Sequence, residues 1–463
     1  MKKVTQLLGS LAALLLCLAC GDNRIEKGPI KRSGQADVVS LDDDWRFIRY
    51  GLQADGTRVE EPAGMFEPAT DDSDWETLDV PHDFAIKGPF RMDLAGNTGR
   101  LPFQGIGWYR KTFTVDEADQ GKRFYVDFDG VMANAQVWLN GEYVGTWPYG
   151  YNSFRLDLTP FIQVGKENLL AVRTDTEKWD SRWYPGAGIY RHVWLVKTGQ
   201  VHVRHWGTKM EATNLTDKTA DLHLTVEVEN HLNEEAKAVV KTSVYELDSL
   251  DCLGKRVLRF DDQTLPLKAM SAGKINLQKR MDDCKRWDIE SPNRYMACVT
   301  VQVDGQETDR YYTPFGVREI SVSREGFFLN GRRVEIKGVC NHHDLGALGA
   351  AFNRSALERQ FRIMREMGCN SIRTSHNPPA PELLDLADKT GMLIMDEAFD
   401  AWAHGKREWD YNKLYEAWHK KDLEALVRRD WNHPSVVFWS IGNEVLEQQN
   451  VEMTRHLVEI VKE

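Results

Sequence analysis

The chain has 463 residues and a formal net charge of −11. At roughly 100–200 residues per domain, this length allows two to four domains. A hydrophobic content of 42% and a charged content of 28% are ordinary for a globular protein, and the acidic balance without a basic stripe argues against nucleic acid as a partner.

The first predicted element is a secretory signal peptide over residues 1–20. Two lysines precede an apolar stretch through Leu18, which is too short for a comfortable membrane span. The letters CLAC before Gly21 resemble a bacterial lipobox with Cys20 as the lipidated residue, although Cys17 stands where Leu is usual. Ordinary cleavage nearby is the alternative. We expect an exported protein, held at the outer membrane by its lipid or located in the periplasm.

Residues 21–37 are polar and charged and contain Gly and Pro, which predicts a tether between lipid and first domain. Beyond the leader the cysteines are scattered and form no CxxC pair, so no zinc or redox motif is indicated. Cys252 and Cys284 could pair in an exported protein, but their spacing does not establish a bridge.

Residues 38–200 show short strand patterns broken by turn signals. In the stretch GKRFYVDFDGVMANAQVWLNGEYVGTW, Asn140 and Gly141 separate two alternating runs, which is a strong hairpin signal. The pattern predicts an antiparallel, jelly-roll-like β-sandwich. Residues 201–318 again alternate with period two, and their length fits a second, immunoglobulin-like β-sandwich.

Residues 319–463 change in texture and predict four strand-then-helix units. The strands are RRVEIKGVC, CNSIRTSH, MLIMDEAFD and PSVVFWSIGNE, and each is followed by a helical pattern, the last of which reads VLEQQNVEMTRHLVEIVKE. Such alternation indicates parallel strands, as in a (β/α)8 TIM barrel or a doubly wound sheet. No glycine-rich phosphate loop marks the latter. Because a full barrel needs roughly 250 residues, we expect the first half of a TIM barrel.

Polar side chains follow each of these strands, and the C-terminal ends of parallel strands form the active-site face of a barrel. The residues in question are His342, His343, Asp344, Arg373, Ser375, His376, Asp396, Glu397, Asp400, Asn443 and Glu444.

At this point the chain resembles glycoside hydrolase family 2. The motifs GIGWYRKTF, GYNSFRLDLT and RWYPGAGIYRHVWL carry the resemblance in the first sandwich, and FFLNGRRVEIKGVCNHHDLGALGAA, SIRTSHNPPAPELLDLADKTGMLIMDEAFD and RDWNHPSVVFWSIGNE carry it in the barrel. The stretch CNHHDLGALGAAF is similar to exported β-galactosidases of Bacteroides-type bacteria. The resemblance implies cleavage of β-glycosidic bonds with retention.

The family uses an acid/base Glu after the fourth barrel strand and a nucleophilic Glu after the seventh. Glu444 matches the acid/base. The nucleophile is expected to be missing from this chain, because only four strand-then-helix units are present. Glu397, the only other Glu near a strand end, lies in DEAFD, which does not resemble the nucleophile motif. The resemblance therefore implies that this chain by itself is an inactive fragment.

The resemblance also implies substrate-binding roles. Asn443 matches an Asn that contacts the sugar 2-hydroxyl, and Arg373 matches an Arg that orients the nucleophile, which is missing here. The remaining matches are His376 and His342 lining the sugar subsite, Asp400 near the outer hydroxyls, and Asp180 reaching the pocket from the first sandwich.

No metal or other cofactor is expected. Some family members hold Mg²⁺ beside the acid/base through a Glu and a His, and those places read Asp400 and Trp402 here. An indole cannot ligate the ion.

Structural alternatives stand beside these roles. Glu444 or Asn443 could cap a helix, and Arg373 could form a buried ion pair with Asp396. His342 and His343 are neighbours on a strand and point to opposite faces, so one of them is structural. Trp183 could stack on sugar or pack between sandwich and barrel.

The sequence thus predicts a retaining β-glycosidase that acts on an oligo- or polysaccharide, with a β-galactosidase favoured. β-Glucuronidase and β-mannosidase of the same family are alternatives, as is a non-catalytic carbohydrate-binding module. The sequence leaves open whether the chain forms a homo-oligomer.

Overall fold

The computed structural model describes residues 28–30 and 32–463. The predicted leader at residues 1–20 and the predicted lipid attachment at Cys20 lie outside the described residues and stay predictions. Within the described part of the chain, no helix combines the length and the apolar character that crossing a membrane requires.

The end of the predicted tether is folded. Strand β1 (Gly34–Gln35) adds to the edge of a sheet in the second sandwich. Beside it, Arg32 reaches Asp127 at 2.7 Å and Asp129 at 3.0 Å, and both carboxylates are buried in the first sandwich. Separating Arg32 from these carboxylates would leave buried charges without a partner, which is costly. The C-terminal part of residues 21–37 therefore belongs to the folded domains rather than to a tether.

The first sandwich consists of two antiparallel sheets. Its strands are β2 (Val38–Ser40), β3 (Trp45–Leu52), β4 (Arg58–Val59), β5 (Glu76–Leu78), β6 (Ile106–Thr114), β7 (Arg123–Phe128), β8 (Ala135–Leu139), β9 (Glu142–Trp147), β10 (Phe154–Asp157), β11 (Glu167–Asp175) and β12 (Val193–Thr198). One sheet has the order β10-β7-β12-β2 and the other β4-β3-β6-β11-β8-β9, with β5 beside β3. Short 3-10 helices lie at Phe84–Lys87, Gly96–Thr98 and Glu117–Asp119.

The predicted hairpin is confirmed. β8 and β9 pair with each other across a two-residue turn at Asn140 and Gly141, whose φ angles are 55° and 89°. Positive φ at both positions is the requirement of a type I′ turn, which Asn-Gly meets at low steric cost.

The second sandwich has strands β13 (Val201–Thr213), β14 (Ala220–Asn230), β15 (Ala236–Leu247), β16 (Leu253–Arg259), β17 (Gln263–Leu267), β18 (Ser271–Met281), β19 (Arg294–Val303) and β20 (Gln306–Phe315). Its sheets are β13-β14-β18 and β1-β20-β19-β15-β16, with β17 beside β15. Buried residues alternate strictly along β14, as the period-two pattern predicts, and they close a separate hydrophobic core. In the described part of the chain Cys252 and Cys284 are free thiols, so the bridge that the sequence left open is not formed.

A small antiparallel sheet of β21 (Ile320–Ser323), β22 (Gly326–Leu329) and β23 (Arg332–Val334) leads into the barrel portion. The stretch predicted as one strand, RRVEIKGVC, is two. β23 pairs antiparallel with β22, whereas β24 (Gly338–Asn341) pairs parallel with the next barrel strand. The two halves serve different sheets, and residues 335–337 change the direction of the chain between them.

The barrel portion is the predicted parallel sheet in the order β24-β25-β26-β27, with β25 (Ser371–Thr374), β26 (Leu393–Glu397) and β27 (Val436–Ser440). Its helices are α1 (Arg354–Glu366), α2 (Pro381–Thr390), α3 (Asn412–Asp430) and α4 (Val451–Lys462), and a short 3-10 helix lies at Gly346–Leu348. Two sandwiches followed by half of a TIM barrel are the fold that the sequence predicts.

Helix α4 begins later than predicted. The sequence pattern starts at Val445, but the helix begins at Val451, where the Asn450 side chain accepts a hydrogen bond from the Met453 N–H at 3.1 Å. An Asn cap fixes a helix start because it satisfies a backbone donor that has no partner within the helix.

The first sandwich and the barrel portion share one hydrophobic core. Tyr149 and Phe154 of the sandwich belong to the same cluster as Phe399 and Tyr411 of the barrel. Arg191 lies at this junction with 1% exposure and donates to the carbonyls of Tyr151 (2.8 Å), Pro379 (3.1 Å) and Pro378 (2.9 Å). The docking of the two domains therefore depends on a buried guanidinium.

We expect Arg191→Met to lower the free energy of unfolding by about 4 kcal/mol, because the carbonyls of both domains lose their donor and stay buried. Arg58→Met is the matched control: Arg58 pairs with Glu177 while its side chain is 53% exposed, so a loss of at most about 1 kcal/mol is expected. Denaturant unfolding measures both. Equal effects would contradict the structural role of Arg191.

Candidate active site

The predicted strand-end residues meet at one edge of the parallel sheet. His342 follows β24, Arg373 lies on β25, Asp400 follows β26, and Asn443 and Glu444 follow β27. Parallel strands in register bring their C-terminal ends together, so these side chains share one face.

Glu397 lies at the centre of this face and is fully buried. Its Oε2 accepts hydrogen bonds from Arg373 Nε at 2.8 Å and from Ser440 Oγ at 2.6 Å, and its Oε1 accepts one from His376 Nδ1 at 2.6 Å. Donors come from β25, the turn after it and β27, while Glu397 itself ends β26. A carboxylate held this way fixes three strand ends relative to one another and is not available as a nucleophile.

Asn443 has a defined amide orientation. Arg373 Nη2 donates to Asn443 Oδ1 at 2.9 Å, and Asn443 Nδ2 donates to Asp400 Oδ1 at 2.8 Å. Arginine has only donors and a carboxylate only acceptors, so the two neighbours assign the amide oxygen and nitrogen. Arg373 orients Asn443, and the alternative that Arg373 pairs with Asp396 is wrong, since its carboxylate partner is Glu397.

Asp400 is surrounded by donors. Arg182 donates from Nε at 3.1 Å and Nη2 at 2.7 Å, and Lys406 donates from Nζ at 3.0 Å. Burial acts to raise the pKa of Asp400, but the hydrogen bonds from Arg182 and Asn443 and the charge of Lys406 outweigh it and lower this pKa to about 2. Asp400 is therefore an anion that positions its neighbours at neutral pH.

Glu444 is the exposed carboxylate of the site. Its side chain is 73% exposed, and its Oε2 lies 3.4 Å from Arg182 Nη1. The alternative that Glu444 or Asn443 caps the next helix is wrong, because α4 begins at Val451 with Asn450 as its cap. Glu444 instead projects from the strand end, beside a cation from the first sandwich.

The backbone of Glu444 is left-handed, with φ at 44°. This conformation costs a non-glycine residue roughly 1–2 kcal/mol. The preceding residues are fixed on both sides: the Asn443 N–H donates to the Phe399 carbonyl at 3.0 Å, and Lys406 Nζ donates to the Asn443 carbonyl at 2.5 Å. Gly442 is required by contact, since a Cβ there would lie 2.6 Å from Trp402 Nε1.

Aromatic and imidazole rings form one side of the site. The Trp183 ring lies 4.3 Å from the His342 ring and 6.0 Å from the His376 ring, measured between centroids. His343 points elsewhere: it is half-buried, its Nε2 lies 3.1 Å from the Pro185 carbonyl, and loss of solvation lowers its pKa to about 4. The structure thus separates His342, which joins the site rings, from His343, which packs against the first sandwich.

Asp180 does not join this network. Its Oδ1 accepts from the adjacent Ser181 N–H at 2.9 Å, and its own N–H donates to the Trp409 carbonyl at 2.8 Å. Arg182, two residues further along the same loop, makes the side-chain contacts with Asp400 and Glu444 instead. Sequence reasoning missed Arg182, Lys406 and Ser440. Arg182 opens the RWYPGAGIYR motif, and that position was the signal that could have found it.

Two β-sandwiches are thus followed by a half barrel with a carboxylate exposed at the end of its fourth strand. Comparison with known families gives matches in the same order: the sugar binding domain of glycosyl hydrolases family 2 at residues 39–199, a second family 2 domain at 201–318 and the family 2 TIM barrel domain at 320–463. The chain belongs to glycosyl hydrolases family 2.

Comparison with individual proteins supports the same family. The chain is 46% identical to β-galactosidase BoGH2A of Bacteroides ovatus over 88% of its own length and 46% of that protein, and 37% identical to a putative β-glucuronidase of Formosa agariphila over 91% and 39%. A solved family 2 member from Bacteroides cellulosilyticus superposes with a TM-score of 0.85 at 35% identity, over 92% of this chain and 54% of that one. The chain thus spans about half the length of these relatives.

Glycine at position 444 should give a more stable protein than alanine, against the usual order, because only glycine adopts positive φ without strain. We expect Glu444→Gly to exceed Glu444→Ala by about 1 kcal/mol in free energy of unfolding. Denaturant unfolding of the two variants checks this, and a more stable alanine variant would refute the left-handed conformation.

Asp400→Asn should lower stability at neutral pH by about 2 kcal/mol, since the folded state holds the pKa of Asp400 below its unfolded value. A depressed pKa contributes stability above the unfolded value of 3.8, and that contribution is lost as the pH falls toward about 2. The difference between wild type and variant should therefore shrink on acidification. Denaturant unfolding of wild type and variant at neutral pH and at acidic pH measures this difference. Asp180→Asn is the control, and its stability should stay close to that of wild type at both pH values.

Proposed function

We propose that this chain carries the acid/base half of a retaining β-glycosidase site and that its substrate class is terminal β-galactosides of oligo- or polysaccharides. The observation that carries the proposal is the position of Glu444, an exposed carboxylate at the end of the fourth barrel strand beside a fixed Asn443 and the Arg182 cation.

In hydrolysis with retention, one carboxyl group acts first as a general acid and then as a general base. Glu444 would first donate a proton to the leaving oxygen of the glycosidic bond and would then, as a carboxylate, take a proton from the attacking water. Its exposure gives it access to a substrate and to water. Asn443, fixed between Arg373 and Asp400, would keep its amide in a constant orientation for the sugar 2-hydroxyl.

The charges of the described site favour a neutral sugar. Arg373 is paired with Glu397, Lys406 with Asp400, and Arg182 with Asp400 and Glu444. A uronic acid brings its own carboxylate and is best recognised by a cation without an anionic partner. This charge balance, together with the identity to a β-galactosidase, supports a galactoside over a glucuronide.

The two other carboxylates of the described strand-end network are both held by donors. Glu397 is buried with donors on both oxygens, and Asp400 is held by Arg182, Lys406 and Asn443. Retention needs a second carboxylate about 5–5.5 Å from the first, with an oxygen able to reach the sugar. We therefore propose that the 463-residue polypeptide does not hydrolyse glycosides by itself.

The test compares this polypeptide with a version extended by the remaining segment of the Bacteroides ovatus relative. On aryl β-galactoside, β-glucuronide and β-mannoside, the 463-residue chain should give no turnover, and the extended version should cleave the galactoside at least about tenfold faster than the others. Turnover by the short chain would overturn the proposal that it lacks a nucleophile, and preference for another sugar would overturn the substrate class.

The role of Glu444 has its own control in the extended version. Glu444→Ala should slow cleavage of substrates with poor leaving groups by roughly 10²–10⁴-fold. With activated aryl galactosides, departure of the aryl group should be much less affected, because a good leaving group needs no proton, whereas hydrolysis of the glycosyl-enzyme should be slow without its general base. Added azide, a nucleophile that needs no general base, should restore turnover of the activated substrate. An equal loss on both substrates without rescue would exclude the acid/base role.

A further inference from the structure

A cluster of potential metal ligands lies far along the chain from the strand-end site. Among residues 28–30 and 32–463, His202, Glu229 and His231 bring one ligand atom each within 4.8 Å of one another. His202 lies on β13 directly opposite Glu229 on β14, so their side chains share a face of the sheet. His231 follows Glu229 by two residues and continues the pairing through its N–H, which donates to the Gln200 carbonyl at 2.9 Å.

We propose that His202 Nε2, Glu229 Oε2 and His231 Nε2 bind a divalent transition metal ion of the zinc type. Glu229 Oε2 lies 3.7 Å from His202 Nε2 and 3.4 Å from His231 Nε2. Tetrahedral zinc with bonds of about 2.0–2.1 Å places its ligand atoms about 3.3 Å apart, which is close to these two distances. Two imidazoles and one carboxylate suit zinc and its neighbours rather than Mg²⁺ or Ca²⁺, which prefer oxygen ligands.

The surroundings orient the ligands. His202 Nδ1 donates to the Gly199 carbonyl at 3.1 Å, which leaves Nε2 unprotonated toward the cluster, and a metal-bound histidine characteristically makes such a bond from its other nitrogen. Arg204 Nε lies 3.4 Å from Glu229 Oε1, which leaves Oε2 facing both histidines.

Neighbouring groups determine which contacts a metal ion would replace and from which side it would enter the cluster. The Tyr125 hydroxyl, from the first sandwich, lies 3.3 Å from His202 Nε2 and accepts from Arg123 Nε at 2.7 Å. Metal binding would replace the weak Tyr125 contact. The His202 side chain is 2% exposed, whereas Glu229 and His231 are 28% and 24% exposed, so the ion enters from the solvent side and keeps a position for water.

A bound ion would link neighbouring strands at the junction of the two sandwiches and stabilise the folded chain. The site joins the start of β13 to the end of β14 and lies against Tyr125 on β7. An ion that binds the folded chain and not the unfolded one stabilises it by mass action.

The test uses the full chain without a polyhistidine tag, after removal of metals with a chelator. We expect one Zn²⁺ per chain by titration calorimetry, visible absorption of tetrahedral Co²⁺ in the same site, and a rise in melting temperature of about 3–5 °C with Zn²⁺ but not with Mg²⁺. His231→Gln should weaken Zn²⁺ binding on the order of 100-fold and remove the Co²⁺ absorption.

The matched control is His456→Gln. His419 and His456 hold their Nε2 atoms 3.1 Å apart on the exposed surface of α3 and α4, so they are the competing imidazole pair among the described residues. Binding that is unchanged in His231→Gln, or lost in His456→Gln, overturns the proposal. Circular dichroism verifies that each variant is folded. Should His231→Gln not fold, absence of a Zn²⁺-specific rise in the melting temperature of the wild type would overturn it.

Discussion

The strand-end site depends on a single buried negative charge. A carboxylate without access to water is tolerated only if donors surround it, and Glu397 receives them from Arg373, His376 and Ser440. Those donors come from β25, the turn after it and β27, so satisfying one charge fixes the relative positions of three strand ends. Arg373 also donates to Asn443, so the position of Asn443, the residue before Glu444, depends on the same buried carboxylate. The positions of these side chains are therefore set by the donors that the buried carboxylate needs, and not by the shape of the barrel alone.

The second constraint comes from outside the barrel. Arg182 belongs to a loop of the first sandwich, yet it binds Asp400 and approaches Glu444. Its position holds only while the two domains stay docked, and Arg191 and the shared hydrophobic core provide that docking. The sandwich that matches the family's sugar binding domain thus also supplies a charge to the acid.

Much of this architecture could be predicted from the sequence. Alternation with period two marks the sandwich strands, and the strand-then-helix alternation implies parallel strands whose polar ends meet, which is why Glu444, Asn443 and Arg373 could be selected together. Periodicity did not indicate the contribution of Arg182, because a loop that reaches into another domain leaves no periodic signal, and only the place of Arg182 at the start of the RWYPGAGIYR motif pointed to it. The start of α4 was misplaced for a related reason: residues 445–450 (VLEQQN) contain no glycine or proline that would interrupt a helix, and the Asn450 cap decides the boundary locally.

Strain and contact are concentrated in a few residues of one motif. Gly442 admits the Trp402 indole, Asn443 is bound at both ends of its amide, and Glu444 takes up a left-handed backbone that the neighbouring bonds impose. The local sequence therefore meets steric, hydrogen-bonding and backbone requirements at three successive positions.

The shared core has a consequence for how such chains diversify. The first sandwich and the barrel portion are separated in sequence by the second sandwich, yet their buried side chains form one cluster, whereas the second sandwich closes a core of its own. Genetic recombination between relatives would disrupt packing if it exchanged only one member of the fused pair. The first sandwich and the barrel portion would therefore have to come from the same parent for this cluster to stay intact, although they are not adjacent in sequence.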